Sequence, residues 1–184
     1  LVRQLARLPN ITDLALTTNG VLLAEHARQL RAAGLQRLNI SLDTLREETF
    51  QRISRRAGLH RVLEGIAAAQ RCGFERIRLN AIAIQGLSED DVLPLVRFAR
   101  QRSLELRFIE FMPLDAEHNW HAPDVLSGEA IRQMIEKEFG PLVPRTRCDS
   151  SQPAVDYQFS DGRGGIGLIN SVTEPFCASC NRLR

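Results

Sequence analysis

Cysteine is scarce: four in 184 residues, too few for a disulfide scaffold in a chain of this length. No apolar run approaches the roughly 18 residues that a membrane-spanning helix needs. Neither charge sign dominates, since 24 Lys and Arg against 22 Asp and Glu give a formal net charge of +2, which argues against general nucleic-acid binding. The opening LVRQLARLPN has neither a starting Met nor a secretory signal pattern. It reads as the middle of a helix, with the start of the protein cut away. With 43% apolar and 25% charged residues, the chain reads as soluble and globular, enough for one domain or a little more. Of the cysteines, Cys72 near a helix end reads as a small buried apolar residue, and Cys148 lies in an arginine-bearing loop. Only Cys177 and Cys180 have ligand spacing. The pattern favours a reducing compartment, the cytoplasm, and a metal or cluster.

Four short stretches read as strands, each followed by a helical pattern: 11–20, 35–43, 75–84 and 104–112. Strands alternating with helices indicate βαβ units and a parallel sheet, with every strand's C-terminal end on one rim. Within the strands the alternation is unusual. Ala15, Thr17 and Asn19 oppose Leu14 and Leu16; Asn39, Ser41 and Asp43 oppose Leu38, Ile40 and Leu42; Arg76, Arg78 and Asn80 oppose Ile77, Leu79 and Ala81; Arg107 opposes Phe108. Parallel strands normally read as apolar on both faces, and an ordinary eight-stranded barrel is filled with branched apolar side chains. A wall lined with hydroxyls, amides and guanidinium groups suits a barrel that holds a large polar ligand. Four strands cannot close a barrel, so at least two are expected to lie elsewhere. The alternative is an antiparallel sheet with one wet face, which the intervening helices oppose.

From residue 113 the rhythm changes. Residues 127–139 read as a helix with Ser127 as N-cap, followed by an irregular stretch and a hairpin in AVDYQFSDGRGGIGLIN. The GRGG of 162–165 is read as the hairpin turn rather than a phosphate loop, because no helix follows. Earlier, Ser88 with Asp91 three residues on reads as a capping box opening another helix. The expected division is a partial barrel over 1–112 and an appended element over 113–184.

The last ten residues, PFCASCNRLR, carry the most chemistry. Two thiolates on one turn are half of a tetrahedral zinc site or part of an iron–sulfur site. Zinc would need two further ligands, and His118 and His121 in EHNWH lie almost sixty residues away. A thioredoxin-like site needs its pair at a helix start after an early strand, which does not fit. Arg182 and Arg184 follow the pair, and planar guanidinium forks suit a phosphate-bearing ligand. With Arg78 and Arg107 they would make four arginines around one cavity, which implies a polyanion such as a triphosphate. Met112, past its strand's end, reads as core or as a thioether lying against a flat ring. Asp43 reads as a base or, more simply, as a hydrogen-bond acceptor for its neighbours.

The runs TTNG (17–20), LNISLD (38–43), RFIEFMP (107–113) and FCASCNRLR (176–184), in this order and spacing, resemble the GTP 3′,8-cyclase family of molybdenum-cofactor biosynthesis, whose members are radical S-adenosylmethionine enzymes. The resemblance implies an incomplete (β/α)6 partial TIM-type barrel, with the last four strands present and a truncated C-terminal extension. It implies two 4Fe-4S clusters and S-adenosylmethionine as cofactors. It also implies GTP as substrate, with the product passing to cyclic pyranopterin monophosphate synthase, together with a cellular reductant and room for a homodimer. By resemblance Cys177 and Cys180 are cluster ligands. Ser41 and Met112 contact S-adenosylmethionine. Thr17, Arg78, Arg107, Arg182, Leu183 and Arg184 contact GTP, with Arg78 standing where the family usually has Lys. The Cys-x3-Cys-x2-Cys run of the radical-generating cluster does not occur among these residues, nor does a third cysteine for the second cluster, so the chain by itself is expected to be inactive. The competing readings are a peptide-modifying radical S-adenosylmethionine enzyme and a zinc-stabilised, non-catalytic binding module.

Overall fold

The computed structural model describes residues 1–114, 120–146 and 152–175. The chain divides into two compact units, Leu1–Asn80 and Ala81–Arg184.

The first unit holds three parallel strands in the order β1 (Ala15–Thr18), β2 (Arg37–Ser41) and β3 (Arg76–Ala83), whose last residues pass into the second unit. Its helices are α1 (Val2–Leu5), α2 (Leu23–Ala32), α3 (Glu47–Ser54) and α4 (Leu59–Arg71). The register puts Leu16, Leu38 and Ile77 on one rung, and Thr18, Ile40 and Leu79 on a rung two further along. Leu38, Ile40, Ile77 and Leu79 are buried, as are Leu23 and Ala27 of α2 and Val62, Ile66 and Ala69 of α4. Each buried Leu or Ile contributes about 2 kcal/mol relative to an exposed one, so this face fixes the strand register. Close approach does the rest. Gly20, at φ +78, turns the chain after β1, and a Cβ on Gly65 of α4 would stand 2.6 Å from the Gly20 carbonyl oxygen. The start of α4 is capped from outside: the Glu47 carboxylate accepts from the backbone N–H of Gly58 (2.9 Å) and Leu59 (3.1 Å). The Gly58 amide first, then the Gln51 side chain, hold that carboxyl below its ordinary value.

The second unit contains α5 (Val92–Gln101), β4 (Glu105–Glu110), α6 (Gly128–Phe139), β5 (Leu142–Pro144), β6 (Val155–Phe159) and β7 (Gly165–Ile169). Its strand order is β4-β7-β6-β5; β7 runs parallel to β4 and antiparallel to β6. The expected hairpin is therefore β6–β7, and it extends the sheet of β4 rather than standing apart. The stretch before it, read as irregular, contains β5, a three-residue edge strand ending in Pro144 that a period-2 pattern is too short to reveal. Ser127 caps α6 as expected, its hydroxyl accepting from the Ala130 amide at 3.2 Å. Ser88 departs from expectation. It precedes a short 3-10 turn (Glu89–Asp91) and makes no cap bond there. Its hydroxyl faces backwards instead, accepting from the Ile84 amide (3.0 Å) and donating to the Ile82 carbonyl (3.4 Å). The opening helix is also shorter than the sequence suggests, four residues before the chain turns at Ala6–Asn10.

Both units are α/β, and the second is a mixed sheet. Among the described residues no helix is long and apolar enough to cross a membrane.

Candidate functional site

The polar face foreseen in the alternation is present in the first unit. Thr17, Asn39 and Arg78 occupy one rung across β1, β2 and β3, and Ser41 and Asn80 the rung two further along. The Asn39 side-chain amide donates to the Thr17 hydroxyl at 3.3 Å. The Oδ1 atoms of Asn39 and Asn80 are buried and have no hydrogen-bond partner among the described residues. Buried polar atoms in native proteins are paired with very few exceptions. Two orphaned acceptors on one face therefore mark a surface made for donors supplied by something else.

At the C-terminal ends of β1 and β2 lies a cleft of about 670 Å³, whose wall includes Asn19, Ser41, Asp43, Phe50, Ser54 and Arg56. The turn beside it is self-contained. The Gly20 amide donates to the Thr18 hydroxyl (3.1 Å) and the Val21 amide to Asn19 Oδ1 (3.2 Å), so Thr18 is committed to the turn while Thr17 is exposed. Ser41 is exposed into this cleft and Asp43 is half-buried.

In the second unit Arg107 is half-buried on β4. Its Nη2 stands 3.4 and 3.5 Å from the two carboxylate oxygens of Asp156 on β6. These strands are not neighbours; β7 lies between them, and Gly167 is the residue at the same rung as both. A Cβ at Gly167 would come 2.6 Å from Arg107 Cγ and 2.8 Å from Asp156 Oδ1. The missing side chain is what lets the guanidinium reach across a whole strand. Neither Asp156 nor Gly167 stands out in the sequence, because the pair is 49 residues apart.

Glu110, the last residue of β4, was also not legible as more than a link in RFIEFMP. It is 2% exposed. Burial pushes its pKa up, but the Thr173 hydroxyl and amide and the amides of Gly128 and Val172 outweigh this and hold the carboxyl below its ordinary value. Met112, two residues on, is half-buried. His121 is exposed, Cys72 is a free, half-buried thiol, and no group of three potential metal ligands occurs among the described residues. Cys148, His118, Cys177, Cys180, Arg182, Leu183 and Arg184 lie outside the described residues.

A parallel sheet with a polar, partly unsatisfied face and a rim cleft makes this an α/β domain with a candidate ligand-binding face. The chain belongs to the radical SAM superfamily, whose profile matches residues 1–99; the Molybdenum Cofactor Synthesis C profile matches residues 104–184. Among curated relatives it is 54% identical to a GTP 3′,8-cyclase of Rhodopirellula baltica, covering 100% of the chain and 52% of that protein. It is 40% identical to one of Pelotomaculum thermopropionicum (100% and 57%), and 46% identical to one of Acidothermus cellulolyticus (100% and 51%). The chain thus spans about half the length of the curated relatives it matches. Among solved structures, TYW1 with a lysine-pyruvate adduct bound aligns with TM-score 0.51 at 18% identity, over 82% of this chain and 45% of that one. A radical SAM methyltransferase from Sphaerobacter thermophilus gives 0.51 at 23%, over 66% and 36%. At these identities the likeness carries the fold alone, which is TIM-barrel-like.

Proposed function

We propose that the whole protein, of which this chain supplies about half, is a radical SAM lyase that cyclises GTP to (8S)-3′,8-cyclo-7,8-dihydroguanosine 5′-triphosphate in molybdenum-cofactor biosynthesis. The observation that carries this is the rung of Thr17, Asn39 and Arg78 with the orphaned Asn39 and Asn80 oxygens beside it. Ribose hydroxyls and a guanine base are rich in N–H and O–H donors, and a triphosphate is rich in acceptors. The face offers the reciprocal set: carbonyl oxygens for the nucleoside and guanidinium groups for the phosphates. The names of the relatives support the same assignment.

Thr17, Arg78 and Arg107 hold GTP, joined by Arg182, Leu183 and Arg184. Ser41 and Met112 hold S-adenosylmethionine, which when bound supplies the hydrogen-abstracting chemistry. Cys177 and Cys180 are two thiolate donors of the kind a 4Fe-4S cluster takes, and fit such a group as part of its ligand set. The ligand run of the radical-generating cluster is not among these residues. The barrel is of the (β/α)6 kind, residues 1–112 belong to it and 113–184 to the extension, and the chain by itself does not turn over. The protein works in the cytoplasm with a cellular reductant and hands its product to cyclic pyranopterin monophosphate synthase.

The test is anaerobic calorimetry of GTP binding to the full-length, cluster-loaded protein. Asn39→Leu and Arg78→Ala are each expected to weaken GTP about tenfold or more, the equivalent of one charge-assisted or buried hydrogen bond. Iron content should not change. Unaltered affinity in both variants would remove this face from the substrate site.

A further inference from the structure

We infer that Arg56 is an oxyanion-binding residue: it holds the carboxylate or phosphate end of a small ligand seated in the rim cleft of the first unit. That the ligand is S-adenosylmethionine or GTP rests on the function proposed above. The choice of an oxyanion rests on geometry.

The wall of the cleft carries three charged side chains, Asp43, Arg56 and Arg61. Arg61 is paired with Glu25 at 3.2 Å, and Asp43 also has a partner within the protein. Arg56 is exposed and, among the described residues, its guanidinium has no ion pair or hydrogen bond. The cleft therefore keeps one positive charge uncompensated. Its neutral polar groups agree with that charge. The Asn19 oxygen is taken by the Val21 amide at 3.2 Å, so Asn19 has its NH2 donors to offer, and Ser41 offers a hydroxyl. A guanidinium fork with an amide and a hydroxyl beside it matches the oxygens of a carboxylate or a phosphate. The sheet face that leads up to the cleft is the converse, with the acceptor oxygens of Asn39 and Asn80 unpaired. A ligand rich in donors along its body and anionic at one end fits both.

An exposed arginine is ordinarily just solvated. What sets Arg56 apart is how its backbone is held. Helix α3 ends at Ser54, and Arg55 after it stands at φ +58, the left-handed region that glycine usually occupies at a helix end. An arginine there is strained, and such strain persists only where the surroundings over-determine it. Here they do. The Ser54 hydroxyl accepts from the Arg56 amide at 3.3 Å. It also lies 2.7 Å from the Phe50 carbonyl and 2.8 Å from the Arg56 carbonyl, donating to one of them at a time. Two residues beyond Arg56, the Glu47 carboxylate accepts from the Gly58 and Leu59 amides. The loop is thus pinned on both sides of Arg56, and the side chain alone is without a partner. A held backbone with an unpaired tip suits a binding residue, because little further backbone order is lost when the ligand arrives.

The experiment uses the full-length protein after anaerobic reconstitution with iron and sulfide. Phenylglyoxal, which modifies accessible guanidinium groups, is applied with and without S-adenosylmethionine, GTP or pyrophosphate, and the modified arginines are mapped by mass spectrometry. Arg52, exposed on α3 and not on the cleft wall, is the internal reference. S-adenosylmethionine or GTP should protect Arg56 while Arg52 stays reactive. Calorimetry then compares wild type with Arg56→Ala, Arg56→Lys and Ser54→Ala. Arg56→Ala should weaken the protecting ligand about tenfold or more, as the loss of a charge-assisted hydrogen bond does. Arg56→Lys keeps the charge without the fork and should recover part of that loss. Ser54→Ala keeps the guanidinium but releases the loop, and should fall between wild type and Arg56→Ala. A loss confined to S-adenosylmethionine supports the inference with a carboxylate as the oxyanion; a loss confined to GTP supports it with a phosphate. Wild-type affinity for both ligands in Arg56→Ala, or an Arg56 that no ligand protects, overturns the inference. A wild-type protein that binds neither S-adenosylmethionine nor GTP overturns the proposed function instead, and protection of Arg56 by pyrophosphate then decides its affinity for oxyanions alone.

Discussion

The two units organise polar chemistry in opposite ways. In the first, polar side chains line an open face and two of their buried oxygens are unpaired; in the second, the main charges are paired across long sequence distances, and the buried atoms left unpaired, Arg100 Nη1 and Asn170 Oδ1, lie on α5 and in the turn after β7 rather than on one strand face. Glu110 binds residues 18, 62 and 63 positions away, Arg107 meets Asp156 across 49, and Arg100 meets Asp161 at 2.5 Å across 61 while its guanidinium lies 4.0 Å over the Phe159 ring. One unit leaves polar groups open on a sheet face, and the other uses them to hold segments in place. The lesson is that a polar residue in a strand is informative about ligands only when its own protein leaves it a free bonding site.

The sharpest way to break the contrast is to remove the buried charge. Glu110→Ala strands three backbone amides, and breaking a fully bonded buried ionic group costs about 3–5 kcal/mol. Chemical denaturation of the full-length protein should show the loss, and a change under 1 kcal/mol would refute this account of Glu110. The pH dependence has a defined sign. The folded pKa of Glu110 is depressed, so its contribution is complete above the ordinary carboxyl value of 4.5 and drains as pH falls through the lower folded value. Glu110→Gln should flatten that part of the acid limb of a stability-against-pH profile.

Next comes the same kind of test in the first unit, where no charge is involved. Gly65→Ala puts a methyl group 2.6 Å from a backbone oxygen, and overpacking of this kind costs about 1–3 kcal/mol. Thermal unfolding would register it. A neutral outcome would mean that α4 can shift away from the β1 turn without loss.

A smaller effect is expected where the two regimes meet, at Arg107, which is paired like a structural charge yet assigned to the substrate. Asp156→Asn should loosen the guanidinium and weaken GTP binding by a factor of about 3–10, the range of a partly exposed ion pair. Stability should hardly move. Unchanged affinity with wild-type iron content would show that Asp156 serves the sheet and not the ligand.

The first unit was largely legible in advance, and the reason is physical. Period-2 alternation within β1–β3 is local, so Thr17, Asn39, Ser41 and Arg78 could be placed on one face from the chain alone. The helices followed from the same kind of pattern. In the second unit the sequence yields α6, its Ser127 cap and the β6–β7 hairpin, again by local signals. The pairing of β7 with β4, the three-residue β5, and the partners of Glu110 and Arg107 are set by tertiary contacts that leave no periodic trace. Ser88 shows the same limit in miniature, since a serine followed by an acidic residue fits a capping box, yet its hydroxyl serves the preceding strand's backbone.

The smallest effect is the most discriminating, because it sets electrostatics against exposure. Glu129 lies in the first turn of α6, and its carboxyl is held down to about 2 by hydrogen bonds from Arg132 first and Gln133 second. The Arg132 guanidinium, 2.8 Å away, also bonds Glu136. Taken at face value, a depression from 4.5 to about 2 would make this pair a main support of the helix, lost as pH falls through that window. Both side chains are open to water, however, at 58% for Glu129 and 30% for Arg132. Water solvates the separated charges nearly as well as they solvate each other, salt screens what is left, and two long side chains lose freedom on pairing. Glu129→Gln should therefore leave the melting temperature of the full-length protein unchanged within error at neutral pH and moderate salt, while nuclear magnetic resonance titration of the wild type should find the Glu129 carboxyl depressed. A clear drop in melting temperature would mean that surface charges brace the second unit as its buried ones do, and the contrast between paired interior charges and idle exterior ones would fail.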